Sequence, residues 1–140
     1  MMDLCYVFTP LVAWLIAGTS KFVINTLKAK QLAFSQIGYG GLPSNHSAIV
    51  SSSAAIIAIR EGVSTPALAV AVALVFIVVL DASSLRKQVG MHAKIINRLN
   101  EEDQKKMLRE RMGHTYIEIF AGIITGIFSA YVVNSLYTIV

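Results

Sequence analysis

Apolar residues in this chain come in long blocks, separated by short polar breaks and one long polar stretch. From Leu4 to Ser20 there is no charge, and Lys21 falls near the end of a block reaching about Thr26. A bilayer span needs roughly 20 mostly apolar residues, so this block predicts a transmembrane helix, with Pro10 able to kink it. A second block, Ser44 to Ile59, is rich in Ser and Ala and ends at Arg60, Glu61 and Gly62. Small residues let helix backbones approach closely, so this helix is expected at the centre of a bundle. The third block, Pro66 to Leu80, is almost pure Ala, Val, Leu, Ile and Phe and ends at Asp81. Pro66 suits a first helical turn.

From Gln88 to Met112 the pattern changes. Val89, Ile95, Ile96, Leu99, Met107 and Leu108 are interleaved with Lys and Arg. This reads as amphipathic helix at the membrane surface, broken near Asn100, or equally as a solvated cytosolic hairpin. A fourth block runs from Thr115 to Val140 and is free of charge from Ile119 onward. The expectation is an all-α integral membrane bundle of about four transmembrane helices plus a cytoplasmic amphipathic segment. It forms a single domain over residues 1–140.

Composition supports the membrane reading. The chain is 55% hydrophobic and 14% charged, with a mean hydropathy of +0.63, whereas soluble domains carry about 25% charged residues. A net charge of +4 in a soluble protein would raise the question of nucleic acid. Here the positive-inside rule accounts for it without a nucleic-acid partner. Lys28, Lys30, Arg86, Lys87, Lys94, Arg98, Lys105, Lys106, Arg109 and Arg111 follow blocks one and three, while the opposite loop has only Arg60 beside Glu61. Both termini are therefore expected outside and both basic loops in the cytoplasm. The N-terminal block lacks a basic leader and carries Asp3 instead, so it reads as a retained helix and not a signal peptide. The single cysteine, Cys5, cannot form an intrachain disulfide.

That topology gathers polar groups at one membrane face: Lys21, the stretch Ser44-Asn45-His46, Asp81 with Arg86, and His114 with Glu118. Ionisable groups near membrane depth are costly and usually functional. Lys and Arg neutralise phosphate oxygens, and the amides opening a helix bind anions. His114 and Glu118 are four residues apart, so on a helix they share a face. The carboxylate there can hold the imidazole in one tautomer and leave the other nitrogen as a nucleophile. His46 is placed to protonate a leaving oxygen.

The motifs GGLPSNHSA, DASSLRK and GHTYIE, in this order, resemble those of the type 2 phosphatidic acid phosphatase superfamily, most closely a small divergent bacterial and plastid branch. The resemblance runs from about Lys21 to Gly126. It implies that His114 is a nucleophile forming a phosphohistidine, Glu118 its orienting carboxylate and His46 the general acid. It also implies that Lys21, Ser44, Asn45, Arg86 and Lys28 surround the phosphate. The implied reaction is hydrolysis of a lipid phosphomonoester or diphosphate, of the phosphatidylglycerophosphate, phosphatidic acid or isoprenoid diphosphate class, with neither metal nor cofactor. The implied setting is a bacterial inner (plasma) membrane, with the site facing the cytoplasm.

Four positions depart from the superfamily's pattern. Lys28-Ala29 stands for Arg-Pro, Asn45 for Gly and Leu85 for Ser, and 27 residues separate Arg86 from His114 where the superfamily has five. These departures keep a second reading open, a non-hydrolytic phosphate-, anion- or lipid-binding membrane protein or small transporter. A third is a structural component of a membrane assembly. A bundle of four short helices is thin, which leaves room for a homodimer.

Overall fold

The computed structural model describes residues 4–29, 41–99 and 107–139, the side chains of residues 28 and 29 excepted. The described chain is helical throughout its regular structure. Helix α1 spans Cys5–Ala29, α2 Asn45–Glu61, α3 Pro66–Leu80, α4 Arg86–Leu99 and α5 Tyr116–Ile139. The all-α expectation holds. Three stretches, Cys5–Leu27, Pro66–Leu99 and Tyr116–Ile139, are long and apolar enough to cross a bilayer. Helix α2, read from the sequence as a fourth span, has 17 residues and is about 25 Å long, at the short end of what crosses a bilayer.

Local signals set the helix starts. Ser44 caps α2, its side chain accepting from the Ser47 amide. Thr65 caps α3 by accepting from the Leu68 amide, with Pro66 at the first position. Such caps satisfy amides that have no partner within the helix. Asp81, read from the sequence as the end of the third block, does not end the helix. A π-helical turn over Asp81–Leu85 joins α3 to α4 without a break. A charge alone does not stop a helix, because it leaves the backbone donors and dihedrals unchanged. The continuous stretch of 34 residues is about 51 Å long, so one end must leave the hydrocarbon core. The basic α4 is that end.

Helix α2 sits at the centre, packed most extensively on α5 and also on α1 and α3. Its core is built from small side chains: Ser47, Ala48, Ser51 and Ser52 on α2, Ala13 and Ala17 on α1, and Ser129 and Ala130 on α5. Gly122 and Gly126 complete the α5 face. A Cβ at Gly122 would lie 2.5 Å from the Ser44 carbonyl oxygen, and one at Gly126 would collide with the Ser51 hydroxyl and the Ala48 carbonyl. The buried hydroxyls cost little, because Ser51 donates to the Ser47 carbonyl at 2.6 Å and Ser129 to Thr125 at 2.7 Å. Helix α3 buries none of its residues and presents apolar side chains outward, as a lipid-facing helix does.

The interval between Arg86 and His114 folds back on itself. Residues 107–112 run beside α4, against its stripe of buried small and polar residues, Gly90, Ala93 and Asn97. The Asn97 side chain donates to the Leu108 carbonyl at 2.8 Å and to Glu110 Oε1 at 2.9 Å, and accepts from the Leu108 amide at 2.8 Å. Gly90 leaves room for the Glu110 carbonyl. The amphipathic helix expected over this stretch is present as far as Leu99, and residues 107–112 return along it; the break expected near Asn100 lies outside the described residues.

Candidate active site

Helices α2 and α3 form a hairpin around the turn 62–65, and about 15 residues along each arm bring His46 and Asp81 to the same level. The first turn of α5 reaches that level because the Ser44 amide donates to the Glu118 carbonyl at 2.9 Å. The π-helical turn is tied in as well, since the His114 amide donates to the Ala82 carbonyl at 3.0 Å. Gly113, just before His114, has φ +85°, and a Cβ there would lie 2.8 Å from Lys87 Cγ. Only glycine fits a left-handed turn in that space.

His114 is buried at 8% exposure, and its Nδ1 lies 3.2 Å from Glu118 Oε2. An ionised carboxylate can only accept, so this bond requires the proton on Nδ1 and leaves the Nε2 lone pair free. Glu118 serves a second purpose. Its Oε2 accepts from the Thr115 amide at 2.9 Å, while Thr115 Oγ1 accepts from the Glu118 amide at 3.3 Å. This is a reciprocal capping box, so the start of α5 and the orientation of His114 depend on one carboxylate. Burial pushes the His114 imidazole below the ordinary value of 6.5, as do the Lys21 and Arg86 charges; the Glu118 hydrogen bond and charge oppose that shift.

His46, in the first turn of α2, is exposed. The charges of Arg86, His114, Lys21 and Asp81 all reach it, and Glu118 acts on Lys21. Groups from α1, α2, the π-helical turn, α4 and α5 thus share one electrostatic neighbourhood. Arg86 donates through Nε to Asp81 Oδ2. That ion pair fixes the guanidinium and leaves its other N–H groups available.

The residues singled out in the sequence differ in how they are used. Ser44 is completely buried and already partnered, its hydroxyl capping α2 and bonded to Ser47 Oγ at 3.0 Å. Asn45 Oδ1 is buried with no hydrogen-bond partner among the described residues. The amides of Asn45 and His46 have no partner within the helix. Lys28 lies in the last turn of α1, and its side chain falls outside the described residues.

Three neighbours escaped the sequence reading. Thr115 is legible in retrospect from the T-x-x-E spacing. Asn25, one turn after Lys21, faces Gly41, where a Cβ would lie 3.5 Å from its Oδ1. Lys87 Nζ stands 5.4 Å from the centre of the Tyr116 ring, a contact that no local pattern announces.

Apolar spanning helices with ionisable groups gathered at one end define an integral membrane protein with a polar site at one end of its bundle. The chain belongs to the divergent PAP2 family, whose model matches residues 3–129. It is also 30% identical over 135 residues to a Bacillus subtilis (strain 168) protein named "Uncharacterized membrane protein YuiD", covering 84% of this chain and 85% of that protein. No solved structure matches the chain.

Proposed function

We propose that this protein is a membrane lipid phosphatase acting on a phosphomonoester or diphosphate at headgroup level, on the cytoplasmic side of a bacterial inner membrane. The observation that carries this reading is the buried, hydrogen-bonded His114–Glu118 pair in the electrostatic neighbourhood of Lys21, Arg86 and His46. Family membership supports it.

In this reading the amides of Asn45 and His46, with the Arg86 guanidinium and Lys21, hold the phosphate oxygens. Ser44 acts as the scaffold that fixes those amides. His114 Nε2 attacks phosphorus, and the bond to the leaving oxygen breaks in line. Glu118 stabilises the imidazolium as it forms. His46 gives its proton to the leaving oxygen, then takes one from the water that attacks the phosphohistidine. Water hydrolysis returns free phosphate and restores both histidines. The protein supplies positioning and charge neutralisation, which are what phosphoryl transfer mainly requires.

The test is phosphate release by purified protein in mixed micelles containing phosphatidylglycerophosphate, phosphatidic acid or undecaprenyl diphosphate. Release that persists in EDTA and disappears in His114→Ala is the expected result. Folded protein that binds the lipids but releases nothing, with or without magnesium, would replace this reading with an anion- or lipid-binding one.

A further inference from the structure

We infer that Asn97 is a positioning residue for His114, acting through the return segment 107–112; this rests on reading His114 as the nucleophile. Asn97 is 8% exposed, and both its amide protons and its carbonyl are engaged. Its side chain pairs with the Leu108 amide and carbonyl as a neighbouring strand would. Such a double bond fixes register: if the segment slides by one residue, both bonds to Leu108 are lost.

The geometry passes that register to the site. Fifteen residues of helix, from Asn97 back to Ala82, cover about 22 Å. The six residues from Leu108 to His114 can reach at most about 20 Å, and the Met112 amide shortens that reach by turning back to the Glu110 carbonyl at 3.1 Å. The return segment therefore has almost no slack. With Leu108 held at one end, the His114 amide meets the Ala82 carbonyl at the other, at 3.0 Å. Gly90 sits between these anchors and admits the Glu110 carbonyl against α4. The π-helical turn and the asparagine thus form the two ends of one clamp. His114 enters α5 directly from it, through the Thr115 cap.

Glu118, four residues on, bonds the His114 ring, and Lys21 on α1, Arg86 on α4 and His46 on α2 interact with it electrostatically. A slipped return segment would move the ring relative to all four. A displacement of about 1 Å at a reacting group can cost on the order of a hundredfold in rate.

The experiment compares wild type, Asn97→Asp, the double variant Asn97→Asp/Glu110→Gln, and Asn97→Ser, each in micelles with ring-labelled histidine. Asn97→Asp cannot donate to Leu108 and sets a carboxylate against Glu110. In the double variant, Glu110→Gln restores a donor–acceptor pair between the two side chains. In Asn97→Asp the His114 signals should shift, and its titration midpoint should rise toward the ordinary imidazole value. Its kcat should fall on the order of ten- to a hundredfold, with KM within about twofold. The double variant should recover part of each change. Asn97→Ser adds no charge and serves where Asn97→Asp does not fold; the same His114 shift is expected. Unmoved His114 signals in either folded single variant would overturn the inference, as would a loss that Glu110→Gln leaves untouched. The spectra need no turnover. A wild type that releases no phosphate would therefore remove the phosphatase reading and leave the Asn97 result standing.

Discussion

A single carboxylate carries two functions at the residue scale, and they can be separated. Glu118 both completes the capping box with Thr115 and holds the His114 proton. Glutamine preserves the cap but not the charge, and alanine removes both. Glu118→Gln should keep thermal stability within about 0.5 kcal/mol, while Glu118→Ala should lose about 1 kcal/mol, read from melting in micelles. Both should lower kcat by about 10²-fold. The pH dependence has a definite sign. The His114 imidazole titrates below its ordinary value because of burial, and Glu118 opposes that shift. The wild-type imidazole therefore stays neutral to lower pH than an ordinary histidine, and the titration midpoint should drop further in Glu118→Gln. Folding linkage runs the same way. A depressed imidazole contributes nothing above the unfolded value and destabilises the fold as pH falls through it. The His114–Glu118 pairing was legible from the four-residue spacing of GHTYIE. The cap in the same six residues is easily missed, because a charge beside a histidine reads as chemistry before it reads as a helix start.

Among the elements, the α2–α5 pair decides whether the site assembles. Gly122 and Gly126 bring the α5 backbone against Ser44, Ala48 and Ser51, and the same contact allows the Ser44 amide to reach the Glu118 carbonyl. Gly126→Val should therefore destabilise the fold by about 1–3 kcal/mol through overpacking, measured by denaturant titration in micelles. Phosphate release should fall with it, since the opening of α2 and the cap of α5 separate together. The composition of α2 announced a central helix, because Ser and Ala in a membrane chain pack against protein. The π-helical turn was not legible in DASSLRK. Nothing in those residue types forbids an ordinary helix, and the wider turn is settled by the Ala82 carbonyl meeting His114 from far along the chain.

For the whole molecule, the apolar lengths and the basic loops predict a direction. The α3–α4 helix of about 51 Å outruns the bilayer and ends in Lys94 and Arg98. The positive-inside rule predicts that the site and α4 face the cytoplasm. Cysteine labelling checks it. In a Cys5→Ala background, Ser64→Cys in the turn 62–65 should react with an impermeant maleimide from outside. Lys94→Cys should react only after the membrane is opened. The reverse pattern would put the site on the outer face.

The sequence by itself determined the apolar blocks, the small-residue character of α2, the charge asymmetry and the histidine and carboxylate spacing. Each is a property of neighbours in the chain: hydropathy over about 20 residues, steric size at helical intervals, or a face shared at i and i+4. Tertiary structure alone decided that Asp81 continues a helix, that Ser44 is spent as a cap, and that Asn97 folds the return segment back along α4. It also decided that the 27 residues between Arg86 and His114 close onto the Ala82 carbonyl. The physical reason is the same in each case. Those outcomes depend on which buried donor finds which acceptor across dozens of residues, and hydrogen-bond satisfaction at that range is not a local property of any segment.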